Sequence, residues 1–268
     1  MVSATISGSI SATLYLVAST YVFQRLSGKK SISKQWFLLL GLIAGIFHAH
    51  SVLSLIFADA GADLGLFNIA SLIGWIVIAI ALSTNLFRPF ENITVVVYPL
   101  AALAIAASLF FDSTFVPRTD LSLPITTHIL LSICAYSVLF IAVGQAILIA
   151  LQNRQLKQKH PQSIIRVLPP LQTMESVLFE IIWIGMALLS ASIVTGFLFY
   201  EDIFQQHLAH KSVFSLIAWL IFAVLLCGRH VFGWRGRTAI RWTYSGFSFL
   251  MIGYFGSKFV LEFILTRS

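Results

Sequence analysis

Pro124-Ile-Thr-Thr-His128-Ile-Leu-Leu-Ser-Ile-Cys-Ala-Tyr136 opens an apolar run that continues to Leu151 without a charged side chain. The run exceeds the ~20 residues that cross a bilayer as a helix. Hydrocarbon offers no water, so backbone groups must pair within the segment, which selects a helix. His128 lies near one end of the run. An ionisable side chain inside a membrane is costly, and the default reading is a functional site with a partner.

The rest of the chain is built the same way. Of its 268 residues, 58% are hydrophobic and 10% charged, where soluble domains average about 25% charged. Seven further segments qualify as spans: 4–24, 36–57, 66–87, 93–111, 177–200, 212–228 and 239–263. The expectation is an all-α, polytopic integral membrane protein with eight transmembrane helices and one transmembrane domain over 1–268. The fifth span, 124–151, is the longest and is expected to continue as a helix beyond the bilayer.

The net charge of +7 reads as topology and not as nucleic-acid binding, because the basic residues sit in short loops between apolar runs. Arg25, Lys29, Lys30, Lys34, Arg88, Arg154, Lys157, Lys159, Arg166, Arg229, Arg235, Arg237 and Arg241 all fall in alternate loops. The intervening loops hold Asp59, Asp63, Asp112, Asp120, Glu201 and Asp202 against Arg118 and Lys211. The basic side is then cytoplasmic, with both termini on the outer, periplasmic side. Residues 1–24 carry no charge, unlike a signal peptide with its basic start, so the first segment reads as a retained span. The loops carry no Walker-type or GxGxxG sequence. Cys134 and Cys227 form no CxxC and read as small packing residues.

His128 lies roughly 6 Å below the outer boundary, and His48 roughly 15 Å below it. Two neutral imidazoles facing one cavity suit a metal or heme iron; the competing reading is a histidine hydrogen-bonded between helices. His50 faces about 200° away from His48 on a helix, so one of the two faces a cavity, and His48 is favoured. His207 and His210 read as interfacial polar residues or as a metal pair at i, i+3. Lys211 and Lys258 can meet a carboxylate such as a propionate, although snorkelling also accounts for Lys258, as does pairing with Glu262. Gly233-Trp-Arg-Gly-Arg237 with Arg241-Trp242 reads as an interfacial anchor. Thr173 with Glu175 or Ser176 can cap the sixth helix, where Glu175 and Glu180 suit the dipole.

These stretches, taken in order, resemble the cytochrome c assembly membrane protein family of the CcsA, ResC and CcmC type. The resemblance rests on His128 to Tyr136, Leu66-Phe-Asn-Ile-Ala-Ser-Leu72, Ser215-Leu-Ile-Ala-Trp219, Gly233 to Arg237, and Gly253-Tyr-Phe-Gly-Ser257. It covers nearly the whole chain and looks most like the short YpjD-like and HemX-like branch. The resemblance implies an outer heme-ligand role for His128 and the same for His48, with heme b bound non-covalently and His210, Lys211 and Lys258 near it. It implies a bacterial inner membrane location and a cytochrome assembly partner. The family's Trp-rich WWD segment should fall around Phe199–Lys211. This chain reads Phe-Tyr-Glu-Asp-Ile-Phe-Gln-Gln-His-Leu-Ala-His-Lys there, without tryptophan. The departure points to accessory heme handling and not to a full synthase. A cofactor-free scaffold or regulatory partner is the alternative, and a small-molecule transporter a third.

Overall fold

The computed structural model describes residues 2–26, 33–58, 61–87, 91–111, 122–157, 168–199 and 209–260. They are helical almost throughout: α1 (Val2–Leu26), α2 (Lys34–Ile56), α3 (Leu66–Phe87), α4 (Glu91–Phe110), α5 (Leu123–Lys157), α6 (Leu171–Phe199), α7 (Ala209–Phe232) and α8 (Arg237–Met251). The last continues through a π-helical turn, Ile252–Gly256, into the helical turn Ser257–Phe259. Among the described residues, seven helices, α1 to α7, are long and apolar enough to cross a membrane. The expected eighth segment is helical from Arg237 to Phe259, interrupted by the π turn, and 261–263 lie outside the described residues. Phe57–Ala58 and Gly61–Ala62 form a two-residue antiparallel pair between α2 and α3, where the sequence suggested only a loop. Gly61 has φ 116°, a left-handed backbone that glycine adopts without steric cost.

α5 is 35 residues long, about 52 Å at 1.5 Å per residue. It therefore outruns a ~30 Å hydrocarbon core, as its sequence suggested. Pro99 lies inside α4, which membrane helices tolerate when neighbours re-satisfy the freed backbone groups.

The helices gather into two compact units, α1 to α4 and α5 to α8. In the first, hydroxyl-to-carbonyl bonds stitch α1 to α2: Ser11 Oγ donates to Ala44 O at 2.8 Å and Ser51 Oγ to Ala4 O at 2.8 Å. Such interhelical bonds replace a hydrophobic drive that lipid cannot supply. Arg25 and Glu91 form an ion pair at 3.1 Å, which sets the end of α1 beside the start of α4.

In the second unit α5 and α6 run antiparallel, joined at one end by His128 and Ser192 and at the other by Gln145 Nε2 and Met174 O at 3.1 Å. α7 packs on α6 through Trp219 Nε1, which donates to Ser190 Oγ at 2.8 Å. Gly246 lets α8 approach α7. A Cβ added there would lie 2.8 to 3.1 Å from three atoms of the Phe222 ring, and that ring is fully buried. Gly246→Val is therefore expected to force the two helices apart, at a cost of about 1–3 kcal/mol for overpacking. Thermal unfolding of the purified variant should shift down by roughly 2–4 °C per kcal/mol, and an unchanged transition would show that this contact is not tight.

Candidate functional site

One end of the second unit collects three of the ionisable residues that the sequence singled out, His128, Lys211 and Lys258. It holds the first turns of α5, the last turns of α6, the start of α7 and the π turn after α8. His128 sits in the second turn of α5, half-buried against α6. Its Nδ1 donates to Ser192 O at 2.9 Å and lies 3.3 Å from Thr195 Oγ1. A carbonyl can only accept, so Nδ1 carries the proton, and in a neutral ring Nε2 is then the unprotonated nitrogen. This is the arrangement that orients a histidine ligand toward a metal and raises its basicity. Ser132, one turn on, donates to His128 O at 2.8 Å and meets Ser192 Oγ at 2.7 Å. Gly196 lies flat against the imidazole: a Cβ there would sit 3.0 Å from Cε1 and 3.4 Å from Nδ1. None of Ser192, Thr195 and Gly196 was a candidate from sequence. They lie 64 to 68 positions away, and only the antiparallel pairing of α5 with α6 brings them to the ring.

Tyr136, two turns further along α5, donates to Leu250 O at 2.8 Å and packs its ring 5.7 Å from that of Tyr254. Tyr254 lies in the π turn, where one extra residue per turn re-aims side chains, a feature frequent at functional sites. Its ring is shared by two ammonium groups, Lys211 Nζ at 5.6 Å and Lys258 Nζ at 5.7 Å from the centroid. Both distances are within the ~6 Å reach of a cation–π contact. Lys258 is only 6% exposed. The antiparallel topology therefore brings His128, Lys211 and Lys258 to the same end of this unit. His210 begins α7 with its side chain outside the described residues, and His207 and Glu262 lie outside them altogether.

His48 belongs to the first unit and is fully buried there. Its Nδ1 lies 3.3 Å from Tyr15 OH on α1 and its Nε2 3.0 Å from Ser71 Oγ on α3. Tyr15 meets the imidazole edge-on, 5.7 Å between centroids, and stacks on Tyr98 of α4 at 5.6 Å. His50 points outward, with Nδ1 3.1 Å from Ser7 Oγ. His48 is thus the histidine that faces the interior of its unit, tying three helices together.

At the opposite end of the second unit, Glu175 does not cap its own helix. Its Oε1 accepts the Gly236 N–H at 2.9 Å, and the first turn of α6 closes instead on Pro170 O, which receives Thr173 N–H at 2.9 Å and Met174 N–H at 3.1 Å. Cys134 and Cys227 are free thiols. Among the described residues no group of three or more His, Cys, Asp or Glu gathers around a metal position. A porphyrin iron does not need such a group, since the macrocycle supplies four ligands and the protein only axial ones. A histidine with its Nδ1–H held, and two lysines at the same end of the unit, are groups of the kind such a macrocycle takes.

The family model described as "Cytochrome C assembly protein" matches residues 36–265. Inner membrane protein YpjD of Escherichia coli is 28% identical over 93% of this chain and 95% of its own length. Protein HemX of Brevibacillus brevis is 20% identical over 91% of this chain and 93% of its own. Cytochrome c biogenesis protein CcsA of Rippkaea orientalis is 29% identical over 36% of this chain and 31% of its own. No solved structure matches. A multi-pass helical chain matched over nearly all its length by that model belongs to the cytochrome c assembly protein family.

Proposed function

We propose that this is an inner-membrane heme-binding protein that serves cytochrome c biogenesis in an accessory role, holding or passing heme without attaching it. Two of the relatives carry that setting in their names, inner membrane protein YpjD and cytochrome c biogenesis protein CcsA. The observation that carries the reading is the Nδ1–H of His128 held on Ser192 O, which aims an Nε2 lone pair as an axial ligand needs. In this reading α8 and its continuation form an eighth span, with both termini outside. The Arg25–Glu91 pair supports the alternation in the first unit, and the antiparallel pairings α5–α6 and α7–α8 support it in the second.

The group proposed is heme b, bound non-covalently, and its iron supplies one-electron chemistry tuned by axial ligands and pocket polarity. His128 binds the iron. Ser192 and Thr195 fix its tautomer, and Gly196 leaves room for the ring. Lys211 and Lys258 attract the propionates as charge-assisted partners, and His210 is the third candidate at that end. His48 stays outside this site: it is fully buried in the first unit, where its ring nitrogens meet the Tyr15 and Ser71 hydroxyls.

The cofactor-free scaffold is the second reading, favoured by His48 alone, because both its ring nitrogens already lie within hydrogen-bond distance of hydroxyls. Heme in the purified wild type separates the two, and the heme content of Lys211→Met and Lys258→Met tests the lysines' part in the site. The heme reading expects several-fold weaker retention with the iron spectrum unchanged in shape, because only carboxylate partners are lost. Full retention in both variants removes the lysines from the site.

A further inference from the structure

We propose that the segment Trp234–Trp242 is a binding site for the phosphate group of an anionic phospholipid, set at the end of the second unit opposite His128. The proposal is independent of heme binding.

Three arginines meet here. Arg237 and Arg241 stand four positions apart on α8, so they share a face, and Arg235 lies two positions before Arg237, just ahead of the helix. All three are exposed. From residue 203 to 261 the sequence has no aspartate or glutamate. The acid that does approach from α6, Glu175, spends one carboxylate oxygen on the Gly236 N–H. The patch is strongly cationic, and the guanidinium fork matches phosphate bidentately.

The segment is held in place, unlike an ordinary charged tail. Trp234 N–H donates to Gly228 O at 3.1 Å, and Arg229 Nη1 donates to Trp234 O at 3.2 Å. Arg229 itself lies over the Phe179 ring, 4.7 Å from its centroid. Gly233 and Gly236 take φ values of 66° and 60°, which other residues adopt only with strain. Gly228 has no Cβ, and one placed there would collide with the Trp234 ring. Two hydrogen bonds, a cation–π contact and the close approach of Gly228 to Trp234 thus fix a turn that carries its arginines outward.

The neighbours favour lipid over a soluble acidic partner. Trp234 packs between Phe232, 6.2 Å away, and Trp242, 5.3 Å away. Phe232 is 74% exposed and Val231 69% exposed at the end of the apolar helix α7. Amphipathic rings beside open apolar side chains belong at the membrane–water boundary, where nearby arginines are attracted to anionic headgroups. A soluble partner would leave Phe232 and Val231 without an apolar counterpart.

Native mass spectrometry of the detergent-purified full chain tests this, with phosphatidylglycerol or phosphatidylcholine added in parallel. The wild type is expected to retain phosphatidylglycerol at least tenfold more than phosphatidylcholine. The triple variant Arg235→Gln, Arg237→Gln, Arg241→Gln should lose that preference. Replacing the same three by Lys keeps the charge, and is expected to lose several-fold through the missing fork. Glu175→Ala keeps all three arginines but frees the turn, and should also weaken retention. An equal response to both lipids in the wild type, a glutamine variant that still prefers phosphatidylglycerol, or wild-type preference for a glutamate-rich peptide over phosphatidylglycerol would overturn the proposal.

Discussion

His128→Ala is expected to abolish heme retention, by at least tenfold relative to wild type, in protein purified from heme-replete cells. The loss should exceed that of any other single substitution. Iron would lose its axial nitrogen, and the donors around the ring cannot replace it: Ser192 O and the Thr195 and Ser132 hydroxyls already bond within the helices. Folding should survive, because the imidazole is only half-buried and the Ser192 carbonyl that accepts its Nδ1–H has a second donor. That carbonyl also accepts the Thr195 hydroxyl at 2.9 Å, so the stability cost should stay near the lower end of the ~1–3 kcal/mol range for an unmade buried bond. The comparison is His48→Ala. Its removal strips Tyr15 OH and Ser71 Oγ of a partner in a fully buried place, so this variant should lose more stability. Thermal unfolding and heme content measured on both variants keep ligation and packing apart. Equal heme content in His128→Ala and wild type would remove this histidine from the site.

Gly196→Val is expected to produce nearly the same heme defect without touching a ligand. Its Cβ would press within 3.0 Å of His128 Cε1, and the two added methyls have no place to go while the ring stays. The imidazole must rotate, which breaks its bond to Ser192 O and turns Nε2 away from its direction. A ligand needs its orientation held to within about half an ångström. Gly196→Ala, one methyl in place of three carbons, should be intermediate, because the ring needs to give by only a few tenths of an ångström. The readout is the Soret position and heme content of the two variants. A valine variant with wild-type heme would mean that the ring's present pose has no part in binding.

The helices were legible because each apolar run is long, nearly free of charge, and closed by basic or turn residues. Lipid enforces helix wherever such a run occurs, so periodicity was not needed. The length of α5 beyond the bilayer was also readable, since Gln152 to Lys157 follows the apolar run without a proline or glycine to end the helix. What the sequence could not place was anything decided by contact between helices. His48 and His50 differ by 200° on one helix, and only packing against Tyr15 and Ser71 selects His48 as the inward one. Glu175 matches a helix-start pattern, yet it bonds to a loop sixty-one positions away. The π turn at Ile252–Gly256 has no composition of its own. It decides that Lys258 is buried beside Tyr254, where snorkelling would have carried it to water. The Trp-rich segment expected around Phe199–Lys211 is missing from the sequence itself, and 200–208 lie outside the described residues.

The most direct measurement is a reduced-minus-oxidised absorption spectrum of the wild-type protein purified from heme-replete cells, with heme quantified per chain. Heme held by His128 predicts a b-type spectrum in stoichiometric amount. A folded wild-type protein without heme would contradict it and leave the scaffold reading in its place.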